Sequence, residues 1–252
     1  MAWSPEQYHK FQGERAAPFE DLIALGSFRP GMKVVDLGCG TGELTARLAE
    51  LSPGSDVVGL DSSRSMLEKA RPLARPGLRF EQGTVEEWEG RALDLVFSHA
   101  TLQWVDDHEA LFAKLARALA PGGQLLVQMP SNHGHVSHQA VRELAAGSAW
   151  KERLQGYCRV SPVRSIDAYA EHLHALGLEK PVVLEKVYGH VLEDGRAVLE
   201  WIKGTLLVPY LERLGAHGPA FLEELAARLD VVCPGKPFYF AFRRTLIAAR
   251  RP

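Results

Sequence analysis

Short apolar runs alternate with leucine-spaced polar stretches through the first half of the chain. Val34–Leu37, Asp56–Leu60, Leu78–Gln82, Asp94–Ser98 and Gln124–Met129 have strand length, which predicts five strands, the first of them buried. Between the first two, Leu44, Leu48 and Leu51 fall on one face and predict a helix over Glu43–Leu51. A capped helix carrying Met66 and Leu67 ends near Pro72, and the leucines of Leu111–Leu119 mark another that stops at Pro121-Gly122-Gly123. Such alternation of strands and helices predicts a parallel, doubly wound α/β sheet. Past residue 130 the alternation loosens. His138–Leu176 reads as mostly helical with breaks near Gly147 and Gly156, and Pro181–Val191 as a sixth strand. Glu193–Asp230 is helical again, broken at Pro209 and at Gly215–Pro219, and Phe238–Ala248 is a long last strand.

Chemistry concentrates where the first strand ends. Val34-Val35-Asp36-Leu37-Gly38-Cys39-Gly40-Thr41-Gly42 is a strand running into a glycine-rich turn and then a helix. Glycines there permit positive φ and let a ligand approach the backbone. Asp61 closes the next strand, where a dinucleotide-type fold places an acid against ribose hydroxyls. It can equally cap the helix that follows. Asp36, just before the turn, would repel a pyrophosphate but suits a ligand with a cationic amino-acid end.

Composition narrows the partners. The chain has 252 residues, is 46% apolar and 24% charged, and carries a formal net charge of −2. These values fit a globular protein with a full core and argue against a nucleic-acid backbone as partner. Three well-separated cysteines, Cys39, Cys158 and Cys233, suggest neither a disulfide framework nor a zinc motif, so a cytoplasmic setting is expected. No segment reads as a signal peptide or membrane span. His133-Gly134-His135-x-x-His138 does not match a helical zinc pair, and no metal is expected.

The pattern Asp36-x-Gly38-x-Gly40-x-Gly42 closely resembles motif I of class I S-adenosylmethionine-dependent methyltransferases. Several further pieces resemble the trans-aconitate methyltransferase family. They are Tyr8-x-x-Phe11-x-x-Glu14-Arg15, Ala100-x-Leu102-Gln103-Trp104-x-x-Asp107-His108, Met129-Pro130-Ser131-Asn132, and the ending around Arg243-Arg244. The resemblance implies a Rossmann-like, seven-stranded, mostly parallel sheet with an antiparallel last strand and a helical substrate cap. One domain is expected, with a lid over 1–28, a cofactor-binding core over 29–130, cap helices and the sixth strand over 131–237, and the last strand over 238–252. Residues 1–28 also suit a helix packed on the sheet edge.

The resemblance also implies site residues. Asp36, Gly38, Cys39, Gly40, Asp61, Ser62, Met66, Thr84, Val85 and Ser98 would hold S-adenosylmethionine, though Met66 suits the core equally. Thr84 stands where the family usually has an Asp for the adenine amino group, and Thr retains one acceptor. Tyr8, Arg15, Gln103, Trp104 and Arg244 would face the acceptor, with Trp104 also suited to the core. His99 reads either as a general base or as structural, and Asp107 and His108 as a helix cap and first-turn residue.

The implied reaction is methyl ester formation on one carboxylate of a small polycarboxylic acid such as trans-aconitate. A carboxylate has a reference pKa of about 4, so at neutral pH it attacks without a base. Cations should clamp the non-reacting carboxylates and leave the attacking oxygen charged. Other readings are methylation of another small metabolite or natural-product intermediate, on O or N, and a non-catalytic cofactor-binding module. A monomer is expected.

Overall fold

In this computed structural model the backbone is described for residues 13–252, and side chains for 17–252. The chain divides into two compact units. One comprises Gln12–Pro130, Pro162–Lys186 and Arg244–Pro252; the other contains Ser131–Ser161 and Val187–Arg243.

The elements run α1 (Gly13–Ile23), β1 (Lys33–Leu37), α2 (Glu43–Leu51), β2 (Asp56–Asp61), α3 (Arg64–Ala70), β3 (Leu78–Gln82) and β4 (Leu93–His99). Then come α4 (His108–Ala118), β5 (Leu119–Pro130), α5 (Val136–Ala146), α6 (Ser148–Arg153), α7 (Ile166–Ala175) and β6 (Glu179–Leu192). The chain ends with α8 (Gly195–Lys203), α9 (Val208–Leu214), α10 (Gly218–Val232) and β7 (Phe238–Arg250). The strands form one seven-stranded sheet in the order β3-β2-β1-β4-β5-β7-β6. β1 pairs parallel with β2 and β4, β2 with β3, and β4 with β5, while β7 runs antiparallel to β5.

Side-chain alternation with a period of two sorts the strands' residues onto two faces. Val35, Leu37, Val96, Leu125, Val127 and Ile247 pack with Phe112 and Leu115 of α4 and Tyr169 of α7. Val34, Leu95, Phe97, Leu126 and Leu246 pack with Phe19 and Leu22 of α1 and Leu48 of α2. The order reverses between β1 and β4, with β2 on one side and β5 on the other. A doubly wound sheet opens its ligand crevice beyond the carboxyl ends of the strands at such a switch point.

The second unit has its own aromatic core. Trp150, Trp201, Tyr210, Phe221, Phe240 and Phe242 cluster with Leu199, Leu225 and Leu229.

Three boundaries differ most from the sequence expectation. β5 begins at Leu119, because Leu119 pairs with Leu93 across an irregularity in the ladder and Gly122 and Gly123 bond the backbone of Arg251. Pro209 does not break a helix but sits in the first turn of α9, where a missing N–H costs nothing. The helical reading of His138–Leu176 lapses over 154–165, where Gln155 (φ 53°) and Gly156 (φ 76°) turn left-handed.

Candidate active site

The glycine turn is fixed by backbone and by one acid. Gly38 and Cys39 donate to Leu60 O at 2.7 and 2.9 Å, and Gly40 donates to Asp61 Oδ2 at 2.8 Å. Gly38 has φ +81°, and a Cβ there would come within 2.0 Å of Thr101 Oγ1, so the turn and the loop after β4 require glycine. Thr101 in turn bonds Gly38 O at 3.2 Å.

Asp61 is the hub of this arrangement. Its other oxygen accepts from the Ser63 N–H at 2.8 Å, while Ser63 caps α3 through Met66 N. Burial raises the Asp61 pKa, partly offset by the Ser63 and Gly40 N–H groups. Asp36 is 2% exposed and accepts from Thr45 Oγ1 at 2.6 Å. Burial, opposed by the Thr45 bond and reinforced by the charge of Asp61, pushes its pKa up to about 7. The nearby Cys39 thiol is also pushed up, chiefly by burial and then by Asp36 and Asp61. Two crowded, poorly solvated carboxylates favour a cation and disfavour a phosphate. This donor set fits a ribose-bearing ligand with an ammonium or sulfonium charge.

Other expected residues fall around this turn or in the framework beneath it. Ser62 is exposed beside Asp61, and Met66 is buried in α3. Thr84 Oγ1 accepts from Glu87 N at 3.2 Å and lies 3.1 Å from Glu87 Oε2, just past β3; Val85 is buried beside it. Ser98 is fully buried and donates to Leu37 O at 2.8 Å, tying β4 to β1. Gln103 donates to Ala100 O at 2.7 Å in the turn Leu102–Trp104, where Trp104 is half-buried.

Farther along the strand ends, His99 and Arg244 are buried at 7% and 5% exposure. Gln128, fully buried, pairs with His99 across β4 and β5 and lies between them. The His99 ring meets the edge of Phe19 at 6.2 Å. Tyr8 lies outside the described residues. Arg15 stands in α1, and its side chain is likewise outside them.

Asp107 caps α4 by accepting from Ala110 N at 3.0 Å. His108 is a buried tie between Tyr169 Oη and Leu102 O, and burial lowers its pKa. Among the described residues, no three His, Cys, Asp or Glu side chains gather as a metal site. Sequence reasoning missed three partners: Thr45, Thr101 and Gln128. Gln128 had a visible signal, a glutamine inside the apolar strand Leu125-Leu126-Val127-Gln128-Met129.

A model described as "Methyltransferase domain" matches residues 28–175. A trans-aconitate 2-methyltransferase from Deinococcus radiodurans is 47% identical over 100% of this chain and 99% of that protein. The chain belongs to the trans-aconitate 2-methyltransferase family. Another member, from Streptomyces coelicolor, is 40% identical over 99% of this chain and 87% of its own length. At the level of fold, an S-adenosylmethionine-dependent methyltransferase from Mesorhizobium loti superposes with a TM-score of 0.52 and 22% identity. That match covers 93% of this chain and 98% of the other. The chain therefore has a class I methyltransferase fold. No helix among the described residues is long and apolar enough to cross a membrane.

Proposed function

We propose that the protein transfers the methyl group of S-adenosylmethionine to one carboxylate of trans-aconitate, giving a methyl ester. The observation that carries this reading is the full-length similarity, 47%, to a relative named for that reaction. The site is consistent with it. Bound S-adenosylmethionine supplies an electrophilic methyl group on a sulfonium sulfur. Asp61 with Ser62 would hold the ribose hydroxyls. Thr84, Val85 and Met66 would border the adenine. The turn Gly38-Cys39-Gly40 would lie along the methionine portion, with Asp36 beneath it supplying negative charge. Ser98 would support this end from within the sheet.

On the acceptor side Arg244, Arg15, Tyr8 and Gln103 would hold the non-reacting carboxylates, and Trp104 would wall the pocket. The chemistry asks the protein to orient rather than to move protons. The attacking oxygen is already charged, the new O–C bond forms as the C–S bond breaks, and no proton changes hands. In this reading His99 is a hydrogen-bond donor rather than a base, no metal takes part, and the chain works as a cytoplasmic monomer on a small acid, without nucleic acid.

The test is a methyl-transfer assay on trans-aconitate, other tricarboxylates and a monocarboxylate, with wild type and Arg244→Met. A buried arginine–carboxylate pair costs ~2–5 kcal/mol on truncation, so the variant's KM for trans-aconitate should rise about thirtyfold or more. Its turnover of a monocarboxylate should hardly change. Wild-type enzyme showing no preference for multiply charged acids would overturn the assignment.

A further inference from the structure

His99, Gln128 and Arg244 come from three neighbouring strands, β4, β5 and β7, and meet near the carboxyl ends of β4 and β5. All three are buried, on the sheet face that α1 covers through Phe19. One orientation of the Gln128 amide satisfies the neighbours on both sides. Its nitrogen then donates to His99 Nε2 at 3.1 Å, and its oxygen accepts from Arg244 Nη1 at 3.2 Å and from Met129 N at 3.2 Å.

We propose that Gln128 is a positioning residue for the acceptor's carboxylates, coupling His99 and Arg244 into one preset group of donors. This rests on the acceptor reading above. The chemistry follows from the amide's two ends. An amide nitrogen has only protons to offer, so His99 Nε2 must be the acceptor and the neutral ring carries its proton on Nδ1. His99 is thereby held as a donor, suited to a carboxylate and unsuited to removing a proton at Nε2. The amide oxygen draws one Arg244 nitrogen and fixes the plane of the guanidinium without neutralising it, as a carboxylate would. The amide thus adds no negative charge of its own to the group. Neither Glu nor Leu at position 128 could do both.

The test uses Gln128→Met, which keeps the volume and removes both bonds, and Gln128→Glu, which places a negative charge beside Arg244. Hydrogen bonds to charged groups justify expecting KM for trans-aconitate to rise about tenfold in Gln128→Met and further in Gln128→Glu. The dissociation constant for S-adenosylmethionine should stay within about twofold, because the proposed cofactor residues lie around β1, β2 and the end of β3, and Ser98 alternates onto the sheet face opposite His99 and Gln128. Maximal turnover should fall less than KM rises, and a monocarboxylate should feel little of either change.

A second readout does not need turnover. Two-dimensional proton–nitrogen NMR of histidine should show His99 as the Nδ1–H tautomer in wild type, and that preference should weaken in Gln128→Met. An Nε2–H tautomer in wild type overturns the proposal, whatever the substrate. So does a folded Gln128→Met, judged by its cofactor binding, whose preference for tricarboxylates is unchanged. If wild type shows the Nδ1–H tautomer yet methylates no polycarboxylate, the acceptor assignment fails and the proposed role of Gln128 in carboxylate binding falls with it.

Discussion

In the sheet-bearing unit the polar groups are held by close neighbours and by backbone. Asp61 accepts from Gly40 and Ser63, Asp36 from Thr45, and Gly38 has no room for a side chain. In the helical unit, aromatic packing dominates. Tyr210 stacks on Phe221 at 6.2 Å, His190 lies 4.5 Å from Trp201, and the Arg213 guanidinium sits 3.7 Å over the Tyr157 ring. Most side-chain hydrogen bonds among its described residues are short in sequence, such as Arg153 to Ala149 O at 2.6 Å and Arg213 to Pro209 O at 2.8 Å, with a few longer ties such as Trp150 Nε1 to Glu224 at 2.7 Å. Burial lowers the pKa of two histidines there, His135 and His138. Burial, helped by His135 and Arg142, lowers the His138 pKa to about 3. One region therefore stores unfavourable charge where a cationic ligand would relieve it, whereas the other excludes charge from its core. Stored charge marks a binding site in a way that apolar packing does not.

The sharpest way to break that contrast is Asp36→Asn. The folded-state pKa of Asp36, about 7, lies above its ordinary value of 3.8. The folded protein thus keeps a proton that the unfolded chain loses, and stability falls as pH rises between those two values. Asparagine escapes this loss. Asp36→Asn should therefore be the more stable protein at about pH 8, by up to roughly 4 kcal/mol, with the gap closing below about pH 4. Urea unfolding across that range measures it. The same variant should bind S-adenosylmethionine more weakly. A gap that does not vary with pH would mean that Asp36 carries no stored charge.

Asp61→Ala should come next, read as affinity. Losing charge-assisted bonds worth ~1.5–3 kcal/mol each should weaken S-adenosylmethionine binding about tenfold or more by calorimetry. Because Asp61 also receives the Gly40 and Ser63 N–H groups, Asp61→Asn should fall between the two proteins. Unchanged affinity in Asp61→Ala would remove this acid from the cofactor site.

The contrast also explains what could be read from the sequence. The strands β1, β2 and β4 announced themselves as apolar runs, and the helix Glu43–Leu51 matched its leucine spacing to the residue. Asp61 could be placed because it ends a strand next to the turn it serves. Asp36 was legible as an acid of the motif but not as a buried one, because Thr45 faces it only once α2 has folded back. The His99–Gln128–Arg244 group was not legible, since its members are separated by whole elements and joined only by strand order. Pro209 was misread because a proline that breaks a helix and one that begins it look alike in sequence.

The smallest expected effect is at Thr84, proposed above to border the adenine. Thr84 now does two local things: it accepts from Glu87 N at 3.2 Å, and its hydroxyl lies 3.1 Å from the Glu87 carboxylate, to which it can donate. In Thr84→Asp the new carboxylate can still accept from Glu87 N, as aspartate does in such turns. It loses the proton offered to Glu87 and sets two negative charges side by side. It gains a stronger acceptor for the adenine amino group. The first change costs and the second helps, each by no more than ~1 kcal/mol at a partly exposed turn. S-adenosylmethionine affinity should therefore move by less than about tenfold, and Thr84→Asp/Glu87→Gln, which removes the repulsion, should bind more tightly than Thr84→Asp alone. Thr84→Val, with no acceptor at all, should bind most weakly of the three. If all three match wild type in calorimetry, Thr84 only shapes the turn, and adenine recognition there falls to the Val85 backbone.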